Sequence, residues 1–147
     1  MRGDLERVLF DQPAIHRRLD DIAAQVSSDY RDRELTVIAV LHGSLMFVAD
    51  LLRRIPLPLK LDCVSVASYH GQAQSSSEVV FMEITVPDVV GRVVLILDDI
   101  LDSGHTLAAI RAQLETAKPP SIRVCVPSSK KRHRAPEVTP DYAWCAF

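Results

Sequence analysis

Apolar residues recur along this chain with two different periods. Leu35–Leu41 (LTVIAVL) and Val93–Leu97 (VVLIL) are unbroken apolar runs rich in β-branched residues. Such runs read as strands buried on both faces, as in a parallel sheet. Ser121–Val126 (SIRVCV) predicts another strand, Leu61–Tyr69 (LDCVSVASY) alternates in part, Glu78–Ile84 (EVVFMEI) returns as a β-like run, and residues 141–147 read as the last strand. Between these lie helical spacings. Ile15, Leu19, Ile22, Ala23 and Val26 form one apolar stripe, with Arg17, Arg18, Asp20, Asp21 and Gln25 pointing outward, and Asp11 with Pro13 just inside supplies a helix start. Leu45, Phe47, Val48, Leu51 and Leu52 form a second helix that Pro56 and Pro58 stop, and a third runs from Thr106 to about Thr116, with Leu107, Ile110 and Leu114 inward and Pro119 and Pro120 beyond. His70 to Ser77 is a polar, Gly- and Ser-bearing loop between two β-like runs, which predicts an extended, flexible hairpin above the sheet. The pattern predicts one α/β domain over residues 1–147, with a mostly parallel central sheet flanked by helices.

The chemistry concentrates where two strands end. Val93–Leu97 runs into Asp98, Asp99 and Asp102, and Ser103-Gly104-His105-Thr106 then opens the third helix. A helix N-terminus leaves backbone N–H groups unpaired and carries partial positive charge, so residues 103–106 form a credible phosphate cradle, with Gly104 letting the backbone come close and two hydroxyls adding donors. Three carboxylates beside a phosphate site must face something other than phosphate. A divalent cation, sugar hydroxyls and a proton to be taken each satisfy them, and a phosphorylated ribose meets all three demands. Leu35–Leu41 likewise ends in His42-Gly43-Ser44 before a helix. Ligands of open parallel sheets lie at the carboxyl ends of strands where the winding reverses, so this turn and the acidic loop are expected to share a cleft. No G-x-G-x-x-G follows the first strand, which argues against a dinucleotide fold.

The run Leu97-Asp98-Asp99-Ile100-Leu101-Asp102-Ser103-Gly104-His105-Thr106-Leu107 resembles the phosphoribosyl-diphosphate signature of type I phosphoribosyltransferases, and within them the hypoxanthine (guanine) enzymes. The resemblance implies the type I fold and a purine-salvage reaction in which hypoxanthine or guanine and 5-phosphoribosyl 1-diphosphate give the nucleoside monophosphate and pyrophosphate. It implies that Asp98 and Asp99 bind the ribose hydroxyls, that Asp102 is the general base near purine N7, and that Asp102, Ser103, Gly104, His105 and Thr106 hold the 5'-phosphate. His42 and Gly43 match a turn that binds pyrophosphate and more commonly carries Arg or Lys at the position of His42, so a permanent cation is replaced here by a titratable one. Arg134 aligns with an arginine near pyrophosphate, Lys130 with a lysine that reads the purine 6-oxygen, and Ile100 with a purine contact. A lysine only donates, which favours a 6-oxo over a 6-amino purine. Ser68 and Tyr69 match the Ser-Tyr pair of a flexible loop that closes over the site, although Ser75-Ser76-Ser77-Glu78-Val79 lacks the glycine common there. Magnesium is the implied cofactor, held mainly through the ligand with Asp98 and Asp99 as nearby carboxylates, and a homodimer or homotetramer is the implied assembly.

The resemblance fades after Asp141-Tyr142. The family carries a further segment with a base-stacking aromatic and an Asp near base and metal, most of the base-binding hood, and no counterpart follows here; Trp144 lies in an apolar run and reads as core. The acidic loop reports ribose phosphate rather than the base, so a xanthine or pyrimidine phosphoribosyltransferase is an alternative. A non-catalytic binder of nucleotide or phosphoribosyl diphosphate is another. Charge and composition narrow the classes further. A net charge of -2 leaves no surplus of Lys and Arg for bulk nucleic-acid binding. The 48% apolar content suits an ordinary globular chain, no apolar stretch reaches membrane-spanning length, and the amino terminus has no signal-peptide core. Cys63, Cys125 and Cys145 have no zinc spacing and read as buried free thiols of a reducing compartment, so a cytoplasmic location is expected. His16 stands near a helix start without a visible partner and reads as a surface residue.

Overall fold

The computed structural model describes residues 11–41, 43–65, 87–101, 105–129 and 139–146. Asp11 caps helix α1 (Gln12–Asp29), its Oδ1 accepting the Ala14 N–H at 2.9 Å, with Pro13 in the first turn where no N–H is needed. The stripe of Leu19, Ile22, Ala23 and Val26 is the buried face of α1, as the spacing predicts. Strand β1 (Leu35–Leu41) follows, then helix α2 (Leu45–Leu52), of which Val48 and Leu51 are buried while Leu45 and Met46 at its start are exposed.

Strand β2 (Leu59–Ser65) lies parallel to β1, with Val37 opposite Leu61. It begins two residues before the expected start. The remainder of the expected strand to Tyr69, and the returning run Glu78–Ile84, fall outside the described residues. Cys63 is exposed on β2, which corrects the expectation of a buried thiol; β2 is the edge of the sheet, and of its seven residues only Val64 is fully buried. Cys125, by contrast, is buried, and burial pushes its thiol far above the ordinary range, so it stays protonated. The Cys145 and Trp144 side chains lie outside the described residues.

Central strand β3 (Val93–Leu97) pairs in parallel with β1 on one side and with β5 (Ser121–Ser129) on the other. A two-residue strand β4 (Ile100–Leu101) also pairs with β5, at Ser128 and Ser129, in the register β3 has along Ser121 to Cys125, so β4 continues the line of β3. Helix α3 (His105–Glu115) starts one residue before the expected Thr106, and β6 (Tyr142–Ala146) pairs in parallel with the far side of β5. Every pairing among these strands is parallel.

The full apolarity of the central strands has a direct cause, because each side of the sheet faces its own core. Leu95 and Leu97 pack with α1 and α2 residues, whereas Val94 and Ile96 pack with Leu107, Ile110 and Leu114 of α3. Successive residues of a strand point to opposite faces, so β3 must be apolar throughout. The expected end of β5 at Val126 is too early, since the strand passes through Pro127 and continues to Ser129. A proline removes a ladder donor and is expected to end a strand, but it leaves φ in a range that a strand tolerates.

Candidate active site

All strands being parallel, their carboxyl ends gather on one side of the sheet, and there β3 meets the β1–α2 turn. β3 itself ends at Leu97, and Asp98 and Asp99 follow directly at its carboxyl end. Asp98 still belongs to the ladder, its N–H donating to the Cys125 carbonyl at 3.2 Å. Its side chain turns back along the chain, and Oδ1 accepts the Asp99 N–H at 2.8 Å.

The Asp99 carboxylate lies against the β1–α2 turn. A Cβ built on Gly43 would sit 2.6 Å from Asp99 Oδ2 and 3.3 Å from Asp99 Cγ. Any side chain at position 43 would therefore compete with that carboxylate for space. Gly43 carries no positive φ, so the requirement for glycine here comes from close approach rather than from backbone conformation. Next to it Ser44 is wholly buried and its Oγ donates to the Val40 carbonyl, tying the turn back to the end of β1. Sequence reasoning gave Ser44 no role; a Ser directly after a strand-ending glycine was the available signal.

Burial pushes the Asp98 carboxyl up to about 7; the hydrogen bond from the Asp99 N–H works against this, and the adjacent Asp99 carboxylate adds to it. Burial and the adjacent carboxylate both disfavour the charged form, and a cation or a hydroxyl donor supplied by a ligand would favour it. As hard oxygen donors on adjacent residues, the two aspartates fit a magnesium ion that takes one or two carboxylates from the protein and its remaining oxygens from water and substrate phosphates. Among the described residues no cluster of three or more metal-ligating side chains occurs.

Of the other expected site residues, Thr106 is half-buried in the first turn of α3, His105 opens that helix, and Ile100 is in β4. β4 ends at Leu101 and α3 opens at His105, so a strand precedes a helix here as the sequence implies. Asp102, Ser103, Gly104, His42, Ser68, Tyr69, Lys130 and Arg134 lie outside the described residues.

A second polar cluster sits away from this site, toward the start of β5. Tyr142 donates its hydroxyl to Asp29 Oδ2 at 2.5 Å, and Arg123 donates to the Tyr142 oxygen at 3.0 Å and to Asp29 Oδ2 at 3.3 Å. The Arg123 guanidinium also stands 5.7 Å from the centre of the Tyr30 ring. Burial and the bond to Asp29 raise the Tyr142 phenol well above its ordinary range. These charges are satisfied by one another and fasten α1 to β5 and β6.

Comparison with known proteins agrees with this geometry. Residues 8–145 match the family model of the phosphoribosyl transferase domain. The hypoxanthine-guanine phosphoribosyltransferase of Staphylococcus epidermidis is 34% identical over 142 residues, 97% of this chain and 79% of that protein. Its counterpart from Mycobacterium avium is 36% identical over 151 residues, 99% of this chain and 73% of that protein. A crystal structure of a hypoxanthine phosphoribosyltransferase from Staphylococcus aureus superposes with a TM-score of 0.87 at 31% identity, covering all of this chain and 80% of that one. With an all-parallel sheet, paired aspartates at the end of its central strand, and a glycine turn packed against one of them, the chain belongs to the phosphoribosyltransferase family, in its hypoxanthine-guanine branch.

Proposed function

We propose that this chain is a purine-salvage transferase, converting hypoxanthine or guanine and 5-phosphoribosyl 1-diphosphate to the nucleoside monophosphate and pyrophosphate. The observation that carries the reading is the contact of Asp99 with the Gly43 turn, which sets a candidate ribose-binding carboxylate beside a candidate pyrophosphate-binding turn. These are the two parts of the donor between which the glycosidic bond breaks. Asp98 and Asp99 accept hydrogen bonds from the ribose hydroxyls, holding C1 of the sugar where the base approaches. Residues 102–106 take the 5'-phosphate on the N-terminus of α3. His42, Gly43 and Arg134 take the pyrophosphate.

As the bond to pyrophosphate breaks, positive charge develops on the ribose ring. Asp98 and Asp99 stand close enough in sequence and fold to face that charge, and their carboxylates stabilise it. Asp102 takes the proton from the incoming purine, a step worth typically ~100- to 10,000-fold in rate. Lys130 donates to the purine 6-oxygen, and Ile100 contacts the ring. Ser68 and Tyr69 close over the donor and exclude water from the reactive sugar. Asp98 and Asp99 would hold a magnesium ion, which would supply charge neutralisation for the pyrophosphate leaving group. A cytoplasmic homodimer or homotetramer completes the reading. Among the described residues no helix is long and apolar enough to cross a membrane.

The test is a spectrophotometric assay with hypoxanthine, guanine, xanthine and uracil in parallel, each with phosphoribosyl diphosphate and magnesium. Turnover with the first two alone is expected. Exclusive turnover of xanthine or uracil refutes the base assignment, and saturable donor binding without turnover of any base makes the chain a binding protein.

A further inference from the structure

We propose that Pro127 is a positioning residue for the two aspartates, acting by withholding one hydrogen bond from the sheet; the proposal rests on the assignment of Asp98 and Asp99 to the ribose. Strands β3 and β4 run along the same side of β5 in one register, Leu97 opposite Cys125 and Ile100 opposite Ser128. Continued through the gap, that register sets Asp98 opposite Val126 and Asp99 opposite Pro127. In a parallel ladder a residue whose peptide groups face its neighbour donates to the residue before its partner and accepts from the residue after it. Asp98 makes the first of these bonds, its N–H reaching the Cys125 carbonyl at 3.2 Å. The second would come from the N–H of residue 127, and proline has none.

Alternation along β5 confirms which way this position faces. Val124 exchanges bonds with the β6 side, its N–H donating to Asp141 Oδ2 at 2.8 Å and its carbonyl accepting the Asp141 N–H at 2.8 Å. Residues 125 and 127 therefore face β3 and β4. The ladder loses one bond at the Asp98 carbonyl and resumes at Ile100. β5 is an interior strand, flanked by β3 and β6, where proline is disfavoured. A local rule broken in the interior of a sheet, opposite the candidate ribose carboxylates, is the pattern expected where function sets the residue.

The consequence is mechanical. With no donor at 127, the peptide joining Asp98 to Asp99 is held from within, by the Asp99 N–H on Asp98 Oδ1, and not by β5. That leaves the Asp99 carboxylate to settle against Gly43. A residue with an N–H at 127 would clamp the Asp98 carbonyl to β5 and draw the pair into a regular strand.

Pro127→Ala and Pro127→Val both restore the donor, and valine suits a strand should alanine fold poorly. The readouts are amide exchange at residue 127 by NMR, donor affinity by titration with phosphoribosyl diphosphate, and steady-state kinetics with hypoxanthine. The expected result is a protected amide at 127, a KM for phosphoribosyl diphosphate raised roughly five- to tenfold, the equivalent of about one net hydrogen bond, and a KM for hypoxanthine unchanged. A loss of packing alone would not single out the donor's KM. If the wild-type chain binds the donor and both variants match its KM, or the new amide exchanges freely, the role of Pro127 is overturned. If the wild-type chain binds no donor, the ribose assignment itself falls, and this proposal with it.

Discussion

Gly43→Ala puts the central contact of the candidate site to the test. The added methyl would lie 2.6 Å from Asp99 Oδ2, so the carboxylate must retreat by about 1 Å to reach ordinary van der Waals separation. The obstacle is the far end of a side chain, which can rotate, and alanine meets no backbone strain at a residue without positive φ. Replacing glycine at such a position also removes unfolded-state freedom worth ~0.4–1 kcal/mol, which offsets the steric cost. The melting temperature is therefore expected to stay within a few degrees of wild type. Function should respond differently, because a carboxylate displaced by about 1 Å gives up a charge-assisted hydrogen bond worth ~1.5–3 kcal/mol. That corresponds to roughly 10- to 150-fold in kcat/KM for phosphoribosyl diphosphate.

The assay is steady-state kinetics with the donor varied, on Gly43→Ala, Asp99→Ala and the double variant. If the clash with Asp99 is the cause, Gly43→Ala costs little once Asp99 is already alanine, and the cycle shows strong coupling. Additive costs, or a Gly43→Ala enzyme with unchanged KM and kcat, would refute the argument that glycine is required by the Asp99 carboxylate.

Other expectations follow from the same structure. Asp102→Asn should lower kcat by ~100- to 10,000-fold while leaving donor binding measurable by titration; an unchanged kcat removes Asp102 as the base. Asp98 has a folded-state pKa raised to about 7 from 3.8, so its contribution to stability is full below pH 4 and is lost as pH rises toward 7. In metal- and ligand-free buffer Asp98→Asn should therefore stabilise the chain more at pH 8 than at pH 4, and equal gains in thermal melts at both pH values would contradict this. Tyr142→Phe removes the hydroxyl shared by Asp29 and Arg123, and should cost ~1–3 kcal/mol in denaturant unfolding with KM for both substrates unchanged. Ile96→Ala, at the centre of the α3-side core, should cost ~2–5 kcal/mol.

How much of this was legible in the sequence depends on which interaction sets each feature. The central strands were legible because both of their faces are buried, so burial alone dictates an unbroken apolar run, and Val93–Leu97 matches β3 at both ends. The buried face of α1 was legible for the same reason, and its start because Asp11 and Pro13 act locally. The exposure of Cys63 was not, since an alternating apolar segment does not say whether it lies at the sheet's edge or within it. The candidate site divides along the same line. An acidic cluster after a buried strand is a local pattern, and it singled out Asp98 and Asp99. The contact of Asp99 with Gly43 joins residues 56 positions apart and depends on β1 and β3 being neighbours, which no short pattern encodes. Pro127 shows the limit most sharply. Read locally, it ends a strand, because proline lacks the donor a ladder needs. In the fold β5 continues past it, and the missing donor becomes visible only on the facing strand, at Asp98. A residue whose effect appears on its neighbour has to be read across the sheet: in the register of β3 and β4 along β5, the carbonyl that a donor at position 127 would reach is that of Asp98, some thirty residues earlier in the chain.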